Sequence, residues 1–155
     1  MKLAYSHHYS VHYRVDDTTN EVSDLFFSHP RCVVLAQCFH QILFLDCTFK
    51  TNRYKLPCFH MVSQTSTGSP FTVALAFISR EITESYIWAL ECVRKFYRDK
   101  EIPNVIIMDA EIALTNAVAY VFPATRHILC LWHISKNVQA NCKPSFIKKM
   151  SVDRG

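Results

Sequence analysis

The chain has 155 residues, of which 50% are hydrophobic and 19% are charged, and its formal net charge is +4 at pH 7 with histidine neutral. These values are typical of one globular domain with a sizeable core, and they exclude a disordered chain. Only two glycines occur, which excludes a glycine-rich phosphate loop, and no apolar run is long enough to span a membrane.

The first predicted elements are a β-hairpin and a helix. Apolar and polar residues alternate from Tyr9 to Val15, residues 16–20 are turn formers, and residues 22–27 can return as the second arm. Pro30 can begin a helix, because its missing N–H costs nothing in the first turn. This hairpin and helix, residues 1–40, lead into the predicted core.

The core begins with three strand-like runs joined by short connections, which favour antiparallel neighbours. A helix then separates them from a fourth strand, which can therefore lie parallel to the first. The predicted strands are 42–49, 54–62, 71–78, 104–109 and 126–131, and the predicted helices are about 83–98, 111–121 and 132–141. We therefore predict an α/β domain with a mixed sheet of order 3-2-1-4-5 flanked by helices.

Two aspartates, Asp46 and Asp109, each follow an apolar run that is typical of a buried strand. An ionised carboxylate is costly there unless it is paired, hydrogen-bonded or bound to a cation. Because the two strands are predicted to be parallel neighbours, both carboxylates should meet at one edge of the sheet. They predict a site for a divalent metal. We interpret Glu111 as an acid favoured by the helix dipole, with an outer-shell role at the metal as the alternative.

Cys130 and His133 form a C-x-x-H motif. A thiolate and an imidazole could share a Zn²⁺ ion, although a zinc site needs further ligands, for which His127 and Cys142 are the nearby candidates. The interpretation we favour is a structural or DNA-orienting role near a helix N-terminus, with zinc as the alternative.

Basic side chains near these motifs are candidate DNA contacts. Lys50, Arg53 and Lys55 follow Asp46 in an aromatic and basic segment, and Lys136 follows His133. Cations beside a carboxylate site would suit a polyanionic strand that enters it. A solvated turn and a solvated helix face are the alternatives.

These segments resemble the Mutator-like (MULE) transposases and their far-red-response transcription-factor relatives. Residues 45–54 resemble the first-aspartate segment of the family, residues 108–117 the second, and residues 122–138 the block around its C-x-x-H signature. Residues 25–30 fit the segment that precedes the core, so the resemblance spans about 21–142.

The resemblance implies a ribonuclease H-like fold and DDE-type cleavage and joining of DNA ends. It implies Asp46 and Asp109 as ligands of Mg²⁺ or Mn²⁺, DNA as the partner, a nuclear location and, as an option, a homo-oligomer. It also implies a third acid, a glutamate beyond the C-x-x-H block, and no glutamate follows Glu111 here.

We therefore expect a truncated catalytic core at residues 41–142, followed by a basic tail at 143–155. The alternative is a domesticated, catalytically inactive protein that binds DNA or regulates transcription and keeps the fold.

Overall fold

The computed structural model describes residues 8–48, 52–98 and 101–140. In chain order its elements are β1 (Ser10–Val15), β2 (Val22–Ser28), α1 (Pro30–Cys38), β3 (Ile42–Thr48), β4 (Cys58–Gln64), β5 (Pro70–Phe77), α2 (Thr83–Arg94), β6 (Val105–Met108), α3 (Ile112–Val121) and β7 (Arg126–Leu129). Residues 131–140 are also helical and are called α4. No helix in the described part of the chain is long and apolar enough to cross a membrane.

The strands form one mixed sheet in the order β1-β2-β5-β4-β3-β6-β7. Short connections make β3, β4 and β5 antiparallel neighbours, whereas the crossovers that contain α2 and α3 let β3 pair with β6, and β6 with β7, in parallel. Numbered from β3, the five core strands lie in the order 3-2-1-4-5, as the sequence predicts.

The N-terminal hairpin extends this sheet, because β2 pairs with the edge of β5. Asp24 of β2 is buried, and its carboxylate accepts hydrogen bonds from Arg14 Nε at 3.1 Å and from the backbone N–H of Ser79 at 2.9 Å. Arg14 also donates to the Ser85 hydroxyl in α2. A buried carboxylate is tolerated when it is paired and hydrogen-bonded, so Asp24 fastens the hairpin to the segment that leads into α2.

The hydrophobic core lies between one face of the sheet and the helices. Leu43 and Leu45 of β3 are buried, whereas Phe44 and Asp46, which alternate with them, are not. On the helix side, α2 and α3 pack against each other. Their buried residues are Ser85, Tyr86, Ala89, Leu90, Cys92, Val93, Leu114, Ala117 and Val118. Asp46 therefore projects from the sheet face opposite the main core.

The strand predicted to start at residue 54 begins instead at Cys58. The Asn52 side chain accepts hydrogen bonds from the backbone N–H groups of Tyr54 and Leu56 and donates to the Leu56 carbonyl. Lys55 takes a left-handed φ of 58°. These local bonds hold residues 52–56 in a turn, because they satisfy backbone groups that a strand would otherwise pair.

Two predicted ends are also too long. The helix predicted to reach about residue 98 ends at Arg94, and the strand predicted to reach residue 131 ends at Leu129. The Cys130 N–H still donates to the Met108 carbonyl at 2.7 Å, but the Cys130 carbonyl accepts from the N–H of Ile134 at 3.1 Å. The chain therefore turns into α4 directly after the last bond of the sheet ladder.

Candidate functional site

Asp46 and Asp109 lie at the same end of two neighbouring strands. Asp46 is near the end of β3 and Asp109 directly follows β6, and the parallel register sets Phe44 of β3 opposite Ile107 of β6. Both residues line one cleft of about 240 Å³. The structure thus brings together the two aspartates that the sequence singles out.

Glu81 also lines this cleft, together with Cys47, Glu111 and Leu114. Glu81 is not among the residues predicted from the sequence, because an isolated glutamate between Arg80 and Ile82 looks like an ordinary solvated charge. The strand order does indicate that Glu81 lies at this edge of the sheet. Strands β3, β5 and β6 run in the same direction, so an acid after the end of any of them reaches the same edge of the sheet.

Glu111 precedes the first residue of α3, and its side chain makes no capping hydrogen bond with the helix. Its carboxylate instead accepts a hydrogen bond from the Tyr86 hydroxyl at 2.8 Å. Burial raises the pKa of Glu111, the Tyr86 hydrogen bond lowers it, and the charges of Glu81 and Asp109 raise it. The Glu111 side chain lines the cleft beside Glu81 and Asp109, and its place directly before α3 is also the position that the helix dipole favours for an acid.

Each aspartate accepts one hydrogen bond from a neighbouring group, and Asp46 also contacts the His133 imidazole. Thr48 Oγ1 donates to Asp46 Oδ2 at 2.9 Å, and His133 Nε2 lies 3.4 Å from Asp46 Oδ1. The backbone N–H of Ala110 donates to Asp109 Oδ1 at 2.6 Å. The Asp46 side chain remains 51% exposed, so a ligand from solvent can reach its carboxylate.

The donor chemistry of the cleft suits a hard cation. Asp46, Asp109, Glu81 and Glu111 offer carboxylate oxygens, and burial raises the pKa of the Cys47 thiol, which disfavours a soft thiolate ligand. Across residues 8–48, 52–98 and 101–140, no three His, Cys, Asp or Glu side chains form a group that could hold a metal by themselves. Because Mg²⁺ often takes one or two carboxylates and completes its shell with water and substrate phosphates, this arrangement fits a cation shared with a substrate.

The C-x-x-H motif lies beside this cleft. Cys130 and His133 line a neighbouring cleft with Asp46, and the His133 imidazole faces the Asp46 carboxylate. In the described part of the chain, Cys130 and His133 belong to no three-residue group of metal-ligand side chains. His127 Nε2 lies 3.4 Å from the Phe122 carbonyl, and Cys142 falls outside the described residues.

Among the described residues, the candidate DNA contacts Arg53, Lys55 and Lys136 do not line the aspartate cleft. Arg53 is exposed and its guanidinium lies 4.6 Å from the centre of the Tyr54 ring. Lys55 is exposed in the adjoining turn, and Lys136 Nζ is 5.4 Å from the Trp132 ring centre on α4. Lys50 falls outside the described residues.

Three comparisons relate this chain to known proteins, and the first is a family model. The model for the MULE transposase domain matches residues 42–137.

Among curated proteins, "Protein FAR1-RELATED SEQUENCE 5" of Arabidopsis thaliana is 28% identical over 132 residues, which are 85% of this chain and 17% of that protein. "Protein FAR-RED IMPAIRED RESPONSE 1" of the same plant is 25% identical over 100 residues, which are 64% of this chain and 12% of that protein. The "PKS-NRPS hybrid synthetase cheA" of Chaetomium globosum is 28% identical over 144 residues, 91% of this chain and 3% of that protein. The chain thus spans only a small part of each of these relatives.

Among solved structures, this chain is similar to the catalytic core domain of HTLV-2 integrase, determined in complex with magnesium in a dimeric form. The match covers 71% of this chain and 73% of the integrase chain. The TM-score is 0.38 and the sequence identity is 15%. A likeness of this size supports no statement about function.

Proposed function

We propose that this chain, which belongs to the MULE transposase domain family, acts in metal-dependent DNA strand cleavage and transfer. Asp46 and Asp109 would be the protein ligands of Mg²⁺ or Mn²⁺. The observation that carries the proposal is the cleft that these two aspartates share at the ends of two parallel strands. A bound cation would supply activation of the attacking oxygen and stabilisation of the leaving oxygen of a phosphodiester.

The side chains around the aspartates would prepare the cleft for that cation. Thr48 and the backbone of Ala110 each hold one carboxylate oxygen, which limits rotation of the two ligands. Glu81 and Glu111 add negative potential, which raises the local concentration of cations. The cleft is then a preformed half-site that a DNA phosphate completes.

The DNA itself would be held by basic side chains outside the cleft. We assign this role to Lys50, Arg53, Lys55 and Lys136, whose charges would neutralise backbone phosphates. The preferred substrate would be the end of a mobile element, the location would be the nucleus, and a homo-oligomer would bring two ends together.

Nicking of supercoiled plasmid DNA by the purified chain tests the proposal. We expect nicked circles in Mg²⁺ or Mn²⁺, and we expect Asp46→Asn and Asp109→Asn each to reduce nicking to background. Asp17→Asn, in the exposed turn between β1 and β2, is the matched control and should nick as the wild type does. Wild-type protein that leaves the plasmid intact in both ions, or Asp46→Asn protein that still nicks it, would contradict the proposal.

A domesticated, non-catalytic DNA-binding protein is the second candidate. It is favoured by the lack, within the described ranges, of a three-residue ligand group around the aspartates. Fluorescence anisotropy with labelled duplex DNA separates the two. Equal DNA affinity of wild type and Asp46→Asn, with no cleavage in any divalent ion, would establish this second function.

A further inference from the structure

The contact between His133 and Asp46 joins the C-x-x-H motif to the first aspartate. His133 Nε2 lies 3.4 Å from Asp46 Oδ1, and the His133 side chain is only 21% exposed. Its other ring nitrogen, Nδ1, is buried and has no hydrogen-bond partner in the described part of the chain. The Trp132 ring packs against the imidazole edge to face, with the ring centres 4.8 Å apart. The imidazole is therefore packed beside the Asp46 carboxylate, with Nε2 as the ring nitrogen that contacts it.

The spacing between Cys130 and His133 matches the junction at which β7 ends and α4 begins. Met108 of β6 lies opposite Leu129 of β7, and the N–H of Cys130 makes the next bond, to the Met108 carbonyl. The Cys130 carbonyl then accepts the first helical hydrogen bond of α4, from the N–H of Ile134. His133 consequently falls in the first turn of α4, directly after the sheet ends. The two residues between Cys130 and His133 take the chain from the end of the β6–β7 pairing to a position beside Asp46 of β3.

The Asp46 carboxylate thus has a partner at each oxygen. Thr48 Oγ1 donates to Oδ2 from the same strand, and His133 approaches Oδ1 from α4. A half-exposed carboxylate with a single partner can rotate about its terminal bond, whereas partners at both oxygens define one orientation. Groups that orient a metal-binding carboxylate in this way raise its affinity for the metal.

We infer that His133 is a positioning residue, which fixes the orientation of the Asp46 carboxylate for the cation. The inference rests on the proposed function and gives the C-x-x-H motif a role that needs no zinc. In this role Cys130 ends the sheet ladder and starts the helix, and His133 acts on the ion through Asp46.

Binding of Mn²⁺ to the full chain, followed by the electron paramagnetic resonance signal of the free ion, tests the inference. We expect His133→Ala to weaken Mn²⁺ binding about tenfold, the size of effect seen when an orienting partner of a metal ligand is removed. His133→Gln retains an N–H donor and should restore part of the affinity. His40→Ala is the matched control, because His40 precedes β3 and lies at the opposite end of that strand from Asp46.

A second readout needs no metal. In ¹⁵N spectra of the imidazoles, Asp46→Asn should shift the His133 signals and leave the His40 signals in place. The inference is overturned if His133→Ala binds Mn²⁺ as tightly as the wild type or more tightly, or if the His133 signals do not shift. Failure of the wild type itself to bind Mn²⁺ would instead overturn the proposed function, so the two failures are distinguishable.

Discussion

At the scale of single residues, the Tyr86 hydroxyl is one of the groups that set the pKa of Glu111. Burial raises the pKa of Glu111, and the hydrogen bond from Tyr86 opposes that effect. We predict that Tyr86→Phe raises the pKa of Glu111 further, because the ionised carboxylate loses its donor. A ¹³C NMR titration of the Glu111 carboxyl measures the change, with Tyr120→Phe, on the exposed face of α3, as the matched control. A Glu111 pKa that is unchanged or lower in Tyr86→Phe would contradict the prediction.

The raised pKa of Glu111 also has a consequence for stability. Between its ordinary value of 4.5 and the raised value, the folded state binds more protons at this residue than the unfolded state does. The contribution of Glu111 to the free energy of unfolding therefore falls as pH rises through that window. We predict that Glu111→Gln flattens this part of the pH–stability curve, as measured by urea unfolding from pH 4 upward. A curve that stays parallel to that of the wild type would contradict it.

At the scale of elements, the pairing of β3 with β6 places the two aspartates side by side. Ile106, in the middle of β6, is completely buried, whereas Ile112, in the first turn of α3, is 78% exposed. We predict that Ile106→Ala lowers the free energy of unfolding by about 3 kcal/mol, because it leaves a cavity between sheet and helices. The matched change Ile112→Ala should alter it by less than about 0.5 kcal/mol. Equal effects of the two substitutions in urea unfolding would contradict this account of the core.

Sequence patterns predict the order of the strands, but they do not predict every boundary or contact of the elements. Apolar periodicity and connection lengths were enough to predict the strand order and, through it, the meeting of Asp46 with Asp109. The same patterns could not place the start of β4, because side-chain bonds from Asn52 hold the preceding residues in a turn. Nor could they pair His133 with Asp46, because that contact depends on the direction in which α4 leaves the sheet.

At the scale of the whole molecule, the buried Asp24 joins the hairpin to the rest of the sheet. We predict that Asp24→Ala lowers the free energy of unfolding by about 3 kcal/mol, because Arg14 and the N–H of Ser79 lose their acceptor. Circular dichroism and tryptophan fluorescence should still report one transition at the same urea concentration. Asp17→Asn, in the exposed turn, is the control. Two separate transitions in the wild type would mean that the hairpin folds independently.

The crossover between β3 and β6 has a consequence for the order in which the protein folds. Asp46 lies in a strand whose antiparallel partner β4 follows closely in the chain, whereas β6 becomes its neighbour only after β5 and α2 have been passed. Closing that long loop is entropically costlier and slower than forming the β3–β4 hairpin. During synthesis, β3, β4 and β5 can therefore pair before β6 and the following Asp109 have been made. We therefore expect the cleft to form late in folding, after the crossover between β3 and β6 has closed.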